Sequence, residues 1–199
     1  LLPLVPIEKM YVSTHHQQAL ETLRQLDSLE FSSDHLIAEP CSRNTAVAIG
    51  LMAKIIADKD ADAVMTVFPA DHVVTNPENF IKVLLKAETL AQKGFLVTLG
   101  IPPTRPETGF GYLKQGTEIN GFEESYHVKK FVEKPDVSTA KKYLELGTYF
   151  WNCGVFVWKA ATLLEELQKH AENIHSQLET LTGCLQSSKG KLAHLEMNK

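Results

Sequence analysis

Ala63-Val64-Met65-Thr66-Val67-Phe68-Pro69-Ala70-Asp71-His72 is the stretch on which the reading of this chain turns. It opens as a nearly continuous apolar run and stops at Pro69, which cannot donate to a ladder of backbone hydrogen bonds. That is the pattern of an inner parallel strand covered on both faces. Immediately past it stands a lone carboxylate, Asp71.

Working toward the N-terminus, Ala46 to Met52 are apolar almost all round, so a helix capped by Asn44 or Thr45 and running to about Asp58 is expected to be buried. Before it, His35 to Ala38 and Met10 to Ser13 read as short strands. Between them, Thr14 and Gln17 form the capping-box pattern of a helix that carries Ala19, Leu20, Leu23 and Leu26. Toward the C-terminus, Asn76 and Pro77 suit N-cap and N1 positions, Phe80, Val83, Leu84, Ala87 and Leu90 form one stripe, and Gly94 suits C′. Phe95 to Ile101 supplies a fourth strand. Strand alternating with helix predicts an α/β fold with a mainly parallel sheet. The second half predicts a more mixed sheet: strands at Gly111 to Gln115, His127 to Glu133 and Tyr149 to Trp158, a helix from Ser138 to Leu146 closed by Gly147, then amphipathic helices over Ala160 to Gln168 and Ala171 to Leu185.

The 199 residues, 44% hydrophobic and 22% charged, suffice for one core, and one domain or most of one is expected. A formal net charge of −4 supplies no basic excess for nucleic acid or an anionic membrane. Three scattered cysteines suggest neither a disulfide framework nor a structural zinc site, which fits a reducing, cytoplasmic setting. No nucleophile elbow, G-x-G-x-x-G helix start or Walker loop occurs.

In an open α/β sheet, ligands bind beyond the strand ends, and five segments there carry unusual chemistry. Glu39-Pro40-Cys41-Ser42-Arg43-Asn44-Thr45 leaves a strand and enters a helix whose N-terminus suits an anion; Glu39 could accept from the N1–H and amine of a guanine, or could equally be a solvated loop residue. Pro69-Ala70-Asp71-His72 puts a carboxylate where Mg²⁺ could be held by one or two carboxylates and phosphate oxygens, against the plain reading that Asp71 starts a turn and His72 packs locally. Pro103-Thr104-Arg105-Pro106-Glu107-Thr108-Gly109-Phe110-Gly111-Tyr112 offers close backbone approach and, in Glu107 and Thr108, groups for sugar hydroxyls, against the plain reading of a turn. Glu133-Lys134 could bond sugar hydroxyls and grip a sugar phosphate, or simply be a solvated pair. Asn152 is a polar group among aromatics, and Gly154 marks a close backbone approach or a bulge.

Taken in order, EPCSRNTAVAIG (39–50), FPADH (68–72), GIPPTRPETGFGYL (100–113), FVEKP (131–135) and FWNCGVFVW (150–158) closely resemble the mannose-1-phosphate guanylyltransferases, over about residues 5 to 185. The resemblance implies a Rossmann-like three-layer α/β/α sandwich, the nucleotide-diphospho-sugar transferase fold, and an enzyme that joins GTP and mannose 1-phosphate into GDP-mannose with Mg²⁺ as cofactor. It implies that Glu39, Pro40, Arg43, Asn44, Thr45 and Ala70 serve the nucleotide, that Asp71 is catalytic and holds the metal, and that Lys134 is catalytic. Glu107, Thr108, Gly109, Gly111, Tyr112, Glu133, Lys134, Asn152 and Gly154 would face the mannose phosphate. Val47, Phe110 and Cys153 stand where the family commonly has proline, tyrosine and serine. The family's glycine-rich loop would precede Leu1 and a second metal-binding aspartate would follow Lys199, so residues 1–199 are expected to be the central part of a single nucleotidyltransferase domain, inactive alone. Assembly into a homo-oligomer is left open. The competing expectations are another sugar-1-phosphate nucleotidyltransferase and a non-catalytic sugar-nucleotide-binding module.

Overall fold

The computed structural model describes residues 3–39 and 45–187, with side chains described to residue 180. Its contacts divide the chain into two compact units, Leu1–Ala63 with Ala160–Lys199, and Val64–Lys159. The first holds strands β1 (Val12–His15) and β2 (Leu36–Glu39) with helices α1 (Ala19–Leu26), α2 (Thr45–Ala57), α5 (Ala160–His170) and α6 (Glu172–Ser187). The second holds β3 (Val64–Val67), α3 (Pro77–Gln92), β4 (Val97–Ile101), β5 (Gly111–Ile119), β6 (Phe122–Val132), α4 (Val137–Leu146) and β7 (Tyr149–Lys159). The result is the expected mixed α/β class, with parallel and antiparallel ladders. Among the described residues no helix is long and apolar enough to cross a membrane.

In the first unit β1 and β2 pair in parallel, Val12 opposite Leu36 through His15 opposite Glu39, joined through α1. The capping box expected at Thr14 does not form. Thr14 is drawn into β1 by its pairing with Ala38, and the helix entry falls to His15, whose Nδ1 accepts from the Gln17 amide at 3.4 Å. A 3-10 turn, His16–Gln18, then leads into α1. Ile49, Gly50, Met52 and Ala53 of α2 are buried as its apolar composition demands, and α5 and α6 pack on it. At that seam the Lys54 ammonium bridges Asp58 at 3.1 Å and Glu179 at 3.2 Å.

The second unit is a five-stranded sheet in which every described ladder is antiparallel. This corrects the reading of Ala63 to Phe68 as an inner parallel strand: β3 pairs antiparallel with β7, Val64 opposite Lys159 and Val67 opposite Phe156. The cause is β7, which is long enough to serve several partners. Phe156 pairs with both Val67 and Thr98, and Asn152 with both Gly100 and Gly111. Because a strand residue has only two edges, β4 lines one edge of β7 while β3 and β5 share the other. The changeover falls at Cys153, Gly154 and Val155, which together oppose Leu99 alone in an irregular bulge, and Gly154 turns it at φ +74.

Helix α3 begins and ends as its sequence requires. Asn76 Oδ1 accepts from the Asn79 amide at 3.1 Å, Pro77 sits at N1, and Gly94 follows with φ 89. Leu84, Ala87, Leu90 and Ala91 are its buried residues, and it packs on β7, β4 and β3. Helix α4 is capped by Asp136, whose carboxylate accepts from the Thr139 amide at 2.8 Å, and closed by Gly147 at φ 64. Tyr112, Ala140, Tyr149 and Trp151 form a buried cluster under α4, with Tyr143 stacked on Tyr149 at 3.8 Å. The β5–β6 hairpin is longer than expected. It closes over Asn120-Gly121, with Ile119 opposite Phe122.

Candidate functional site

Three strands of the second unit bring their candidate residues into one row. Gly100 of β4 and Gly111 of β5 flank Asn152 of β7 on its two edges, and Tyr112 opposite Val132 sets Glu133 at the end of β6 beside Gly111. The approach is close: a Cβ placed on Gly111 would lie 2.9 Å from Glu133 Oε2 and 2.9 Å from Phe131 Cζ. Gly111 therefore tolerates no side chain while Glu133 and Phe131 hold these positions. Lys134 adopts φ 43, a left-handed conformation that costs a non-glycine residue energy and is concentrated at functional sites. Its Nζ stands 3.5 Å from Glu133 Oε1, with both side chains more than half exposed, so this contact holds neither group away from a ligand.

The loop after β4 is braced from within by Glu107. One oxygen, Oε1, accepts from the Thr108 and Gly109 amides at 3.0 Å each; the other takes Arg105 Nη2 at 3.0 Å and Nε at 3.2 Å. The Gly109 N–H contributes most, with Arg105 next, to holding the Glu107 carboxyl below the usual range. Buried Tyr112 donates its hydroxyl to the Glu107 carbonyl at 2.8 Å, tying the loop to β5. Arg105 in turn lies over the Trp151 ring at 5.4 Å, and Phe110 meets that ring edge-on at 5.3 Å. Glu107 and Tyr112, both read from sequence as facing a sugar, are thus part of the scaffold that fixes Thr108, Gly109 and Gly111.

The segment after β3 reaches the same place. A Cβ on Gly154 would stand 3.2 Å from Pro69 Cγ, so the bulge in β7 touches the chain two residues before Asp71. Ala70 and Asp71 are exposed, and Asp71 makes no hydrogen bond or ion pair among the described residues. No group of three His, Cys, Asp or Glu residues suited to a metal stands together among the described residues. An exposed carboxylate such as Asp71 is the kind of donor that Mg²⁺ takes, one or two carboxylates being joined by oxygens that a ligand brings.

Within the bulge, Asn152 Oδ1 accepts from Thr98 Oγ1 at 3.0 Å and from the Gly154 amide at 3.4 Å. Cys153 donates its thiol to the Leu99 carbonyl at 3.3 Å, and burial pushes that thiol up, so it packs rather than attacks. Thr98 lies in none of the strand-end segments that the sequence marks, whereas Pro69 and Arg105 lie inside two of them with no role read for either.

In the first unit, Glu39 ends β2, half-buried, and its Oε1 accepts from Ser13 Oγ at 2.6 Å. Thr45 opens α2 and is exposed. Pro40, Arg43 and Asn44 lie outside the described residues, as does the helix cap expected of Asn44.

An exposed carboxylate, a lysine in the left-handed conformation and a glycine turn braced by Glu107 thus stand in the strand-end loops of an α/β unit. The chain belongs to the nucleotidyl transferase family, whose profile matches residues 2–192. It is 40% identical over 171 residues to the mannose-1-phosphate guanylyltransferase RfbM of Salmonella typhimurium, covering 85% of this chain and 35% of that protein. To a mannose-1-phosphate guanylyltransferase of Salmonella muenchen it is 38% identical over 189 residues, 93% of this chain and 39% of the other. A crystal structure from Thermus thermophilus, described as a mannose-1-phosphate geranyltransferase, superposes with a TM-score of 0.78 at 35% identity, covering 90% of this chain and 51% of that one. The chain spans about a third of the length of the curated relatives it matches.

Proposed function

We propose that the protein containing this chain makes GDP-mannose and pyrophosphate from GTP and mannose 1-phosphate, as a cytoplasmic enzyme using Mg²⁺. The observation that carries the reading is the gathering of four separate sequence segments in the second unit: Gly111 opposite Asn152, Glu133 against Gly111, and Pro69 against Gly154. The similarity to proteins named mannose-1-phosphate guanylyltransferase supports the choice of substrates.

In this reading a phosphate oxygen of mannose 1-phosphate attacks the α-phosphorus of GTP in line. A new P–O bond forms as the bond to the bridging oxygen breaks, and that oxygen leaves with its electron pair on pyrophosphate. No protein nucleophile is required, so the residues contribute alignment and charge neutralisation. Asp71 is the carboxylate that would hold Mg²⁺, which when bound offsets negative charge on the phosphate oxygens. Lys134 sets its ammonium against the sugar phosphate, and Glu133 accepts from sugar hydroxyls. The braced backbone of Thr108, Gly109 and Gly111, with Asn152 and Gly154, lines the sugar side. Glu39 accepts from the guanine N1–H and amine, with Pro40, Arg43, Asn44, Thr45 and Ala70 on the nucleotide side.

The test is product formation by the complete enzyme from GTP, UTP, CTP or ATP with a panel of sugar 1-phosphates. GDP-mannose is expected to form fastest. A preference for another base or sugar would reassign the protein among the sugar-phosphate nucleotidyltransferases, and GDP-mannose binding without turnover would make it a binding module.

A further inference from the structure

We infer that Thr98 is a positioning residue for the sugar-phosphate side of this site: its hydroxyl fixes the Asn152 amide so that the amide NH₂, a pure hydrogen-bond donor, is the group offered to ligand. The inference rests on the reaction proposed above for the identity of the ligand, but its geometry is independent of that. An asparagine amide has an accepting end and a donating end of nearly equal size, and its partners decide which way it turns. The Gly154 N–H can only donate, so the atom that faces it at 3.4 Å must be Oδ1. The shorter contact is with Thr98, whose single hydroxyl proton has two acceptors in reach, this oxygen at 3.0 Å and the Val155 carbonyl at 3.2 Å, and goes to the nearer one. Both accepting contacts of Asn152 are therefore spent inside the bulge. Its Nδ2 has no partner among the described residues, so the donating end of the half-buried amide is the one left for a ligand.

The consequence is a chemical restriction. Asn152 recognises an oxygen acceptor, a hydroxyl or phosphate oxygen of the sugar phosphate, and it does so only while Thr98 holds it. Thr98 itself reaches the site from β4, the strand opposite β5 across β7, so it acts through Asn152.

Steady-state kinetics of the complete enzyme test this, varying mannose 1-phosphate at saturating GTP and the reverse. Thr98→Val keeps the shape and removes the hydroxyl; it is expected to raise KM for mannose 1-phosphate about tenfold, the scale of one hydrogen bond. KM for GTP stays put, and kcat stays within about twofold. Thr98→Ser restores the wild-type KM. Asn152→Asp keeps an accepting oxygen for Thr98 and the Gly154 amide and turns the donor into a charged acceptor, and is expected to raise KM for the sugar phosphate by roughly 10²-fold with Tm unchanged. The inference is overturned if Thr98→Val leaves that KM alone or raises both KM values equally. Should the valine variant not fold, wild-type KM in Asn152→Asp overturns it. Turnover by wild type of a different sugar 1-phosphate would instead break the substrate assignment, with the Thr98 comparison then read on that sugar phosphate.

Discussion

The loops that follow β3 and β4 each carry proline just past the strand and a carboxylate soon after, yet they treat that carboxylate in opposite ways. Glu107 spends both oxygens inside its own loop, on two backbone amides and a guanidinium. Asp71 is exposed and bonds nothing among the described residues. An acid saturated by its own loop stiffens the backbone around it, whereas an acid with empty lone pairs is available to a cation or ligand. From the sequence the two look alike. The difference separates a residue that shapes the site from one that can act in it.

The comparison breaks most readily at Asp71. In the complete enzyme Asp71→Asn is expected to lower kcat by roughly 10²-fold or more, the scale of losing one electrostatic stabiliser, with Tm unchanged. Wild-type turnover would remove Asp71 from the chemistry. At Glu107 the expected effect is smaller and of another kind. Glu107→Ala frees the Thr108 and Gly109 amides, so their hydrogen exchange should speed about tenfold while kcat falls less than in Asp71→Asn. Unchanged exchange would mean that Glu107 braces nothing. Its carboxyl is held low in the fold, so the brace is complete above the usual carboxylate range and is released as pH falls below it.

Asp136 sharpens the contrast with the smallest effect. Amide and hydroxyl donors from Thr139 and Ser138 lower its carboxyl from 3.8 to about 2, with the Thr139 N–H first among them. A carboxyl depressed in the folded state stabilises above its unfolded value and loses that contribution as pH falls toward 2. Asp136→Ala should therefore lower Tm by roughly 2–4 °C at neutral pH, as for loss of an N-cap. The gap between variant and wild type should close as pH drops from about 4 to about 2, which thermal melts at stepped pH would measure.

Much of the fold can be read locally. The ends of α3 are announced by Asn76, Pro77 and Gly94, and the end of α4 by Gly147, because caps are chosen by neighbours a few residues away. The burial of α2 follows from its apolar composition. Thr14 misleads because a capping box and a strand can share a sequence, and pairing with β2 outweighs the local helix signal. The length of the β5–β6 hairpin goes unread: the strands expected at Gly111 to Gln115 and His127 to Glu133 stop short of Asn120-Gly121, the two-residue turn signal that extends them.

The sequence by itself determined the α/β class, the order of elements and the segments rich in ligand-handling chemistry, since periodicity, caps and strand-end residue types are local properties of a chain. Only the tertiary structure decided that β3 runs antiparallel to β7, that Glu107 braces while Asp71 has no partner among the described residues, and that Thr98 turns Asn152. Apolar runs report that a strand is buried without naming its neighbour, and a polar side chain's role depends on which distant backbone and hydroxyl groups use up its lone pairs.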